Sequence, residues 1–265
     1  MTVGELYTTK LGAGFGAIEE TRKLLELWQP GMRSSELFKT ALESGSFPNL
    51  SARRLLNLVK ECFAHRYLLK DDYPASILKM LMPCLTKSEF AQLLFLYTCR
   101  ANLILADFVK EVYWNRYISG HDFISNEIAR QFVSKANEQG KTTKPWSDNL
   151  IERVARYLTK TCGDFGLLEP GIKLARKILP FRIEAKVAAY LAYDLHFAGQ
   201  GDNAIVAHPD WQLFGMEQDD VRNELKNLTL KSYVIVQTAG NFTRISWTYS
   251  SWEEFVNVIA HKNMG

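Results

Sequence analysis

Between Pro145 and Cys162 the chain reads PWSDNLIERVARYLTKTC, and its apolar residues leave the backbone few options. Ile151, Val154, Ala155, Leu158 and Cys162 recur at three- and four-residue spacing, which at about 100° per residue gathers them into one stripe of an α-helix. Asn149, Arg153, Arg156 and Lys160 fall on the opposite side, within about 60° of one another. Ser147 or Asp148 is placed to accept from the free amides of the first turn. Such a helix needs a core behind it and offers its front to water or to an anionic partner.

The net charge of +3 is too small to imply a polyanionic partner, but it is unevenly spread. Residues 130–186 hold 12 Lys/Arg against 6 Asp/Glu, whereas 187–265 hold 5 against 9 and 1–129 hold 15 against 14. Positive charge is therefore concentrated around the Pro145–Cys162 helix. With 47% hydrophobic and 23% charged residues, the chain reads as globular, neither disordered nor fibrous. Its length suffices for one generous core or two to three small ones. Cys62, Cys84, Cys99 and Cys162 show no CxxC or CxxH spacing and read as buried thiols in a reducing cytosol. The N-terminus lacks the apolar core of a signal peptide. Leu93 to Val109 is interrupted by Arg100, Asn102 and Asp107, which predicts a core helix rather than a membrane span. A cytoplasmic protein without membrane contact is expected.

In chain order, the first ten residues read as a loosely held lead-in. LGAGFG (11–16) then precedes AIEETRKLLELW, a gly-rich loop before a helix. Its GxGxG spacing lacks a following lysine-threonine pair, and Glu19 and Glu20 would repel phosphate, so a flexible entry and cap is expected instead. A helix over Ser34–Glu43, the turn GSFPNL and a helix opening at Ser51 follow. On the last, Leu55, Leu56, Val59, Cys62 and Phe63 face inward, while Arg53, Asn57 and Lys60 stand opposite and Arg54 sits in the first turn. That order is the outline of a helix-turn-helix; exposed Arg and Lys also serve solvation alone. Residues 76–118 read as two or three apolar core helices.

A helix from Ser125 to about Glu138 leads through QGKTTKP, carrying Lys141 and Lys144, into the helix described first. Helix, polar loop and basic helix again resembles a helix-turn-helix, and here the charge balance supports contact with a polyanion. Lys173, Arg176 and Lys177 extend the positive stretch. After Arg182 come three helical segments and a hairpin, YVIVQ (233–237), a turn at Ala239–Asn241, and FTRISWTY (242–249). This is winged-helix order. Its third helix begins with Glu217, Asp219 and Asp220, the wrong sign for lying along phosphates, which points to protein contact or packing. A capped helix, SWEEFVNVIAHK, closes the chain.

The fold class expected is all-α: a globular helical bundle with helix-turn-helix-like elements and a small C-terminal, winged-helix-like β-hairpin. The expected domains are 1–120, helical with one helix-turn-helix-like pair; 121–181, the basic segment; and 182–265, the winged-helix-like segment. Residues 121–181 and 182–265 packed as one C-terminal domain is the alternative.

No reaction chemistry emerges. Asp164 with Glu184 and Lys186, or Glu224 with Lys226, imitates an Asp…Glu-x-Lys nuclease, but residues i and i+2 of a helix diverge by about 160°. Asp194, His196, His208 and Asp210 match no familiar metal spacing. Cys62 and His65 share a helix without an activating setting, and no GxSxG is present. The expectation is a non-enzyme with neither cofactor nor metal.

Read together, EETRKLLELWQPG (19–31), the Ser51–Arg54 helix start with RYL (66–68), DFVKEVYWNRYISG (107–120), GDFGLL (163–168), YLAYDLHFAG (190–199), HPDWQLFG (208–215) and RISWTYSSWEEFV (244–256) resemble the BrxA family of type 1 bacteriophage exclusion (BREX) defence systems. The match runs nearly the length of the chain in order. The resemblance implies a cytoplasmic, mostly helical, non-catalytic protein that binds double-stranded DNA. It would act beside the system's methyltransferase, ATPase and phosphatase-like proteins in marking host DNA and blocking phage replication. Family members look NusB-like in part, which keeps an RNA-binding module or a protein-interaction scaffold as alternatives. The family supplies no site residues. The DNA-contact set is therefore read from helix faces: Arg53, Arg54, Asn57, Lys60, Lys141, Lys144, Asn149, Arg153, Arg156 and Lys160. Few of these side chains suit the major-groove code, so backbone-dominated binding by a monomer is expected.

Overall fold

The computed structural model describes residues 6–69, 71–171, 173–240 and 242–262. The chain divides into two compact units, residues 1–79 with 94–181, and residues 80–93 with 182–265. It is mostly helical, with two small antiparallel strand pairs, as the all-α reading requires.

The first unit contains α1 (Ile18–Leu27), α2 (Ser34–Glu43) and α3 (Ala52–Asn57). From α3 the chain runs through a π-turn at Leu58–Phe63 directly into α4 (Ala64–Tyr67). Next come the parts of α5 (Tyr73–Leu81) and α6 (Lys87–Ala101) outside residues 80–93, then α7 (Leu103–Phe108), which runs through a second π-turn at Val109–Tyr113 into α8 (Trp114–Ile118). Asn102 separates α6 from α7, its side-chain amide donating back to the Thr98 carbonyl at 2.9 Å. The two apolar segments flanking it are bent by 113°, and no single helix among the described residues is long and apolar enough to cross a membrane. Trp28, Phe63, Phe95 and Tyr113 are fully buried, each burying a large apolar area.

Strands β1 (Phe123–Ser125) and β2 (Ala175–Lys177) form a short antiparallel ribbon in register Ile124 opposite Arg176. The pattern of the sequence does not announce it, because three-residue strands with a charged residue facing inward carry no legible alternation. Arg176 is buried there, its guanidinium donating to the Glu169 carbonyl at 3.0 Å. Helix α9 (Asn126–Glu138) begins where expected, with Ser125 Oγ accepting from the Ile128 amide at 3.2 Å. Helix α10 (Asp148–Asp164) carries the buried stripe Ile151, Val154, Ala155, Leu158 and Cys162. Its N-cap is Ser147, without the side-chain bond expected of it.

The second unit is built on α11 (Ala185–Phe197). Residues 80–93 are tied to it: Lys186 Nζ lies 3.6 Å from Glu89 and donates to the Cys84 carbonyl at 3.1 Å, while Gln92 bonds Arg182 and Glu184. Short α12 (Asp202–Val206) and a 3₁₀ turn, Pro209–Phe214, precede α13 (Gln218–Leu230), strands β3 (Val234–Ala239) and β4 (Phe242–Trp247), and α14 (Trp252–Lys262). Buried Tyr193 is the hub of this unit. Its hydroxyl donates to the Tyr233 carbonyl at 2.7 Å and accepts from the amides of Thr248 and Tyr249. Along the outer edge of β4, Asn203 Oδ1 accepts from the Thr243 amide and Asp202 Oδ2 from the Ile245 amide, at 3.1 and 2.9 Å. Two side chains of α12 thus satisfy an edge that would otherwise be open for pairing. The hairpin turn includes Asn241, outside the described residues.

Candidate nucleic-acid interface

The expected cationic side chains all lie in the first unit. Ser51 Oγ caps α3 by accepting from the Arg54 amide at 3.3 Å. Beyond the cap, Arg53, Arg54, Asn57 and Lys60 are exposed, and Leu55, Val59, Cys62 and Phe63 are buried. Leu56, expected on the buried face, is only half-buried, and Leu58 is buried in addition, since at about 100° per residue Leu58 falls closer to the stripe of Leu55, Val59 and Cys62 than Leu56 does at its margin.

On α10, Asn149, Arg153, Arg156 and Lys160 are exposed, as their angular positions require. One flank of this strip is closed by α9, where Thr159 Oγ1 donates to Asn126 Oδ1 at 2.8 Å. The other is closed by residues 9–17, where the Phe15 and Tyr157 rings pack 5.3 Å apart. Two of the cations are paired on their own helix. Arg156 meets Glu152 at 3.5 Å and Lys160 meets Asp164 at 3.2 Å, while Arg153 has no ion pair among the described residues.

Lys141 and Lys144 are exposed on a loop that is firmly held. Asn137 Oδ1 accepts from the Trp146 amide and the Thr142 hydroxyl, at 2.8 and 3.0 Å. Tyr7 bridges to the same loop: its amide donates to the Lys141 carbonyl at 2.7 Å, and its carbonyl accepts from Thr143. Tyr7 is buried, and its hydroxyl donates to Asp107 at 2.6 Å. Burial, then that carboxylate, pushes the phenol's pKa up. The chain from Tyr7 onward is thus part of the packing, contrary to the expected loose lead-in.

The gly-rich segment is also not a flexible entry. A Cβ on Gly12 would lie 2.4 Å from the Tyr157 ring, on Gly14 2.2 Å from Cys62 Sγ, and on Gly16 2.6 Å from Asp164 Cβ. The alternating glycines let the backbone wedge between the π-turn at Leu58–Phe63 and α10, which accounts for their spacing without a phosphate. Phe15 and Ala17 take left-handed conformations, with φ of 48° and 42°, and Ala17 is the uncapped N-cap of α1. Between them, the Gly16 amide donates to Asp164 Oδ2 at 3.2 Å. Lys160 Nζ sits 4.8 Å above the Phe15 ring.

The wedge brings the two candidate helices to one place. Arg54 from α3 and Lys160 from α10 line the same cleft of about 500 Å³, with Phe15, Glu19, Glu20 and Asp164 on its walls. Sequence reasoning missed Phe15 and Asp164 here; only the i, i+4 spacing of Lys160 and Asp164 could have flagged the latter. Elsewhere, His65 Nε2 faces the Ala101 carbonyl at 3.1 Å, and all four cysteines are buried. Burial pushes the Cys162 thiol up to about 12. Among the described residues, no cluster of three His, Cys, Asp or Glu side chains is arranged to hold a metal ion.

A family model described as BrxA matches residues 5–194. No curated protein matches the chain. Among solved structures, the crystal structure of an uncharacterized protein from Magnetospirillum magneticum is similar in fold, with a TM-score of 0.56 and 17% sequence identity over 72% of this chain and 94% of that one.

Proposed function

The chain belongs to the BrxA family, and from that premise we propose that it is a non-catalytic double-stranded DNA-binding component of a BREX system, supporting host DNA methylation and phage restriction. Family membership supports a BREX-associated phage-defence protein working with other components of its system. BrxA is not a known catalytic family. The finer reading adds duplex DNA, a monomeric cytoplasmic protein, and the methyltransferase, ATPase and phosphatase-like components as partners.

One observation carries the DNA reading. Arg54 of α3 and Lys160 of α10 line a single cleft, and α10 runs through the most positive part of the chain. Cations on one surface can replace condensed counterions along a duplex without reading base edges. A mobility-shift assay at low ionic strength tests it. The reading expects unrelated duplexes to be retarded at similar concentrations, and RNA hairpins at higher ones. Retardation of RNA in preference to duplex would favour the NusB-like alternative, and no shift of any duplex would remove the DNA reading altogether.

A second reading rests on α13 in the other unit. Its first turn carries Asp219 and Asp220, and the Asp219 side chain is 92% exposed although it pairs with Arg222. An acidic face of this kind suits a basic protein partner better than phosphate. Under this scaffold reading, co-purification with a neighbouring BREX component after nuclease treatment should be lost on charge reversal at Asp219 and Asp220.

A further inference from the structure

We propose that Asp164 is a built-in restraint on the DNA-binding surface, holding Lys160 until a DNA phosphate displaces it. The inference rests on the DNA reading above and adds a regulatory contact to that surface.

Asp164 closes α10 at a point where three constraints meet. Both of its carboxylate oxygens lie within reach of Lys160 Nζ, at 3.2 and 3.3 Å. One of them, Oδ2, also accepts from the Gly16 amide. That amide joins two non-glycine residues in left-handed backbone, Phe15 and Ala17, a conformation that side chains with a Cβ rarely hold. Strained backbone persists only where its surroundings fix it, and the Gly16–Asp164 bond is one such fixture. The Phe15 ring it positions forms the second hold on Lys160, beneath the ammonium.

Lys160 is thus clasped between a carboxylate and a ring at the mouth of the cleft it shares with Arg54. The clasp is not a strong one. The Lys160 side chain is 47% exposed and Asp164 29%, and solvent-exposed pairs of this kind hold only weakly. A phosphate entering between Arg54 and Lys160 offers the lysine an equal charge, while Asp164, like Glu19 and Glu20 on the same walls, stays close and repels that phosphate. The carboxylate therefore opposes binding twice, by competing for the lysine and by its own charge. Only the first effect depends on the presence of Lys160, and that difference makes the proposal testable.

The experiment is a double-mutant cycle read by duplex-DNA affinity across a salt series, using the full chain as wild type, Asp164→Asn, Lys160→Ala and the double variant. Asparagine keeps an acceptor for the Gly16 amide, and thermal unfolding of each variant reports whether the wedge survives. Asp164→Asn should bind roughly two- to fivefold tighter than wild type, the fold-change that corresponds to an exposed pair. Lys160→Ala should weaken binding at least twofold more in the Asp164→Asn background than in the wild-type background. If the two substitutions act independently, Asp164 repels DNA without restraining Lys160, and the proposal is overturned. Unchanged affinity on Asp164→Asn, with the fold intact, overturns it as well. A wild-type protein that binds no duplex removes the DNA reading itself, an outcome visible before any variant is compared.

Discussion

A methyl group on Gly14 would meet Cys62 Sγ at 2.2 Å and Cys62 Cβ at 2.8 Å, inside a core that has no room to give. Gly14→Ala should therefore cost about 1–3 kcal/mol, the usual range for overpacking, and lower the midpoint of thermal unfolding by several degrees. Removing the sulfur with Cys62→Ala in the same chain should recover part of the loss. No recovery would mean that the clash is not the cause. None of these close approaches was legible in the sequence, since the partners of Gly12 and Gly16 lie more than a hundred residues away in α10. His196 gives a second residue-level expectation. It stacks on Trp247 at 4.1 Å, and burial lowers its pKa from the ordinary value of 6.5. The native state then binds fewer protons than the unfolded chain as pH falls below 6.5, so stability declines from there toward the lowered native value. His65, lowered mainly by burial and then by Lys10, contributes in the same direction. Unfolding midpoints measured between pH 7.5 and 5 should fall, and His196→Gln should flatten part of that slope; a slope unaltered by the substitution would contradict the assignment.

At the scale of elements, α10 is the most legible part of the chain. Its buried stripe and exposed cations stand where 3.6-residue periodicity puts them, because a long amphipathic helix is specified by its own sequence. The ribbon of β1 and β2 was illegible for the opposite reason, as each strand is defined by the other some fifty residues away. The loop between α9 and α10 read as merely polar, yet Tyr7 and Asn137 fix it so that Lys141 and Lys144 lead into the cationic face. The exposed positions of Arg153, Arg156 and Lys160 make their roles separable from folding. Substituting all three by Ala should leave unfolding nearly unchanged, since surface changes usually stay within about 0.5 kcal/mol. The same variant should make the log–log salt dependence of DNA affinity shallower by about 2.7, or about 0.9 for each phosphate no longer neutralised. A large fall in unfolding midpoint would instead assign this face a structural role.

Over the whole molecule, charge and architecture divide together. The basic helices fall in the unit formed by residues 1–79 and 94–181, and the acidic start of α13 falls in the unit formed by 80–93 and 182–265. That second unit recruits residues 80–93 through Glu89 and Gln92, a pairing across roughly a hundred residues that local patterns do not encode. The claim that organises the molecule is that its basic unit binds duplex DNA through phosphates. Its most direct measurement is the affinity of the intact protein for a duplex of arbitrary sequence, titrated across ionic strength. With five or six phosphates neutralised, log affinity against log salt should be linear with a slope of about −5, and nearly the same for unrelated sequences. A slope near zero, or no binding at the lowest salt, would contradict it.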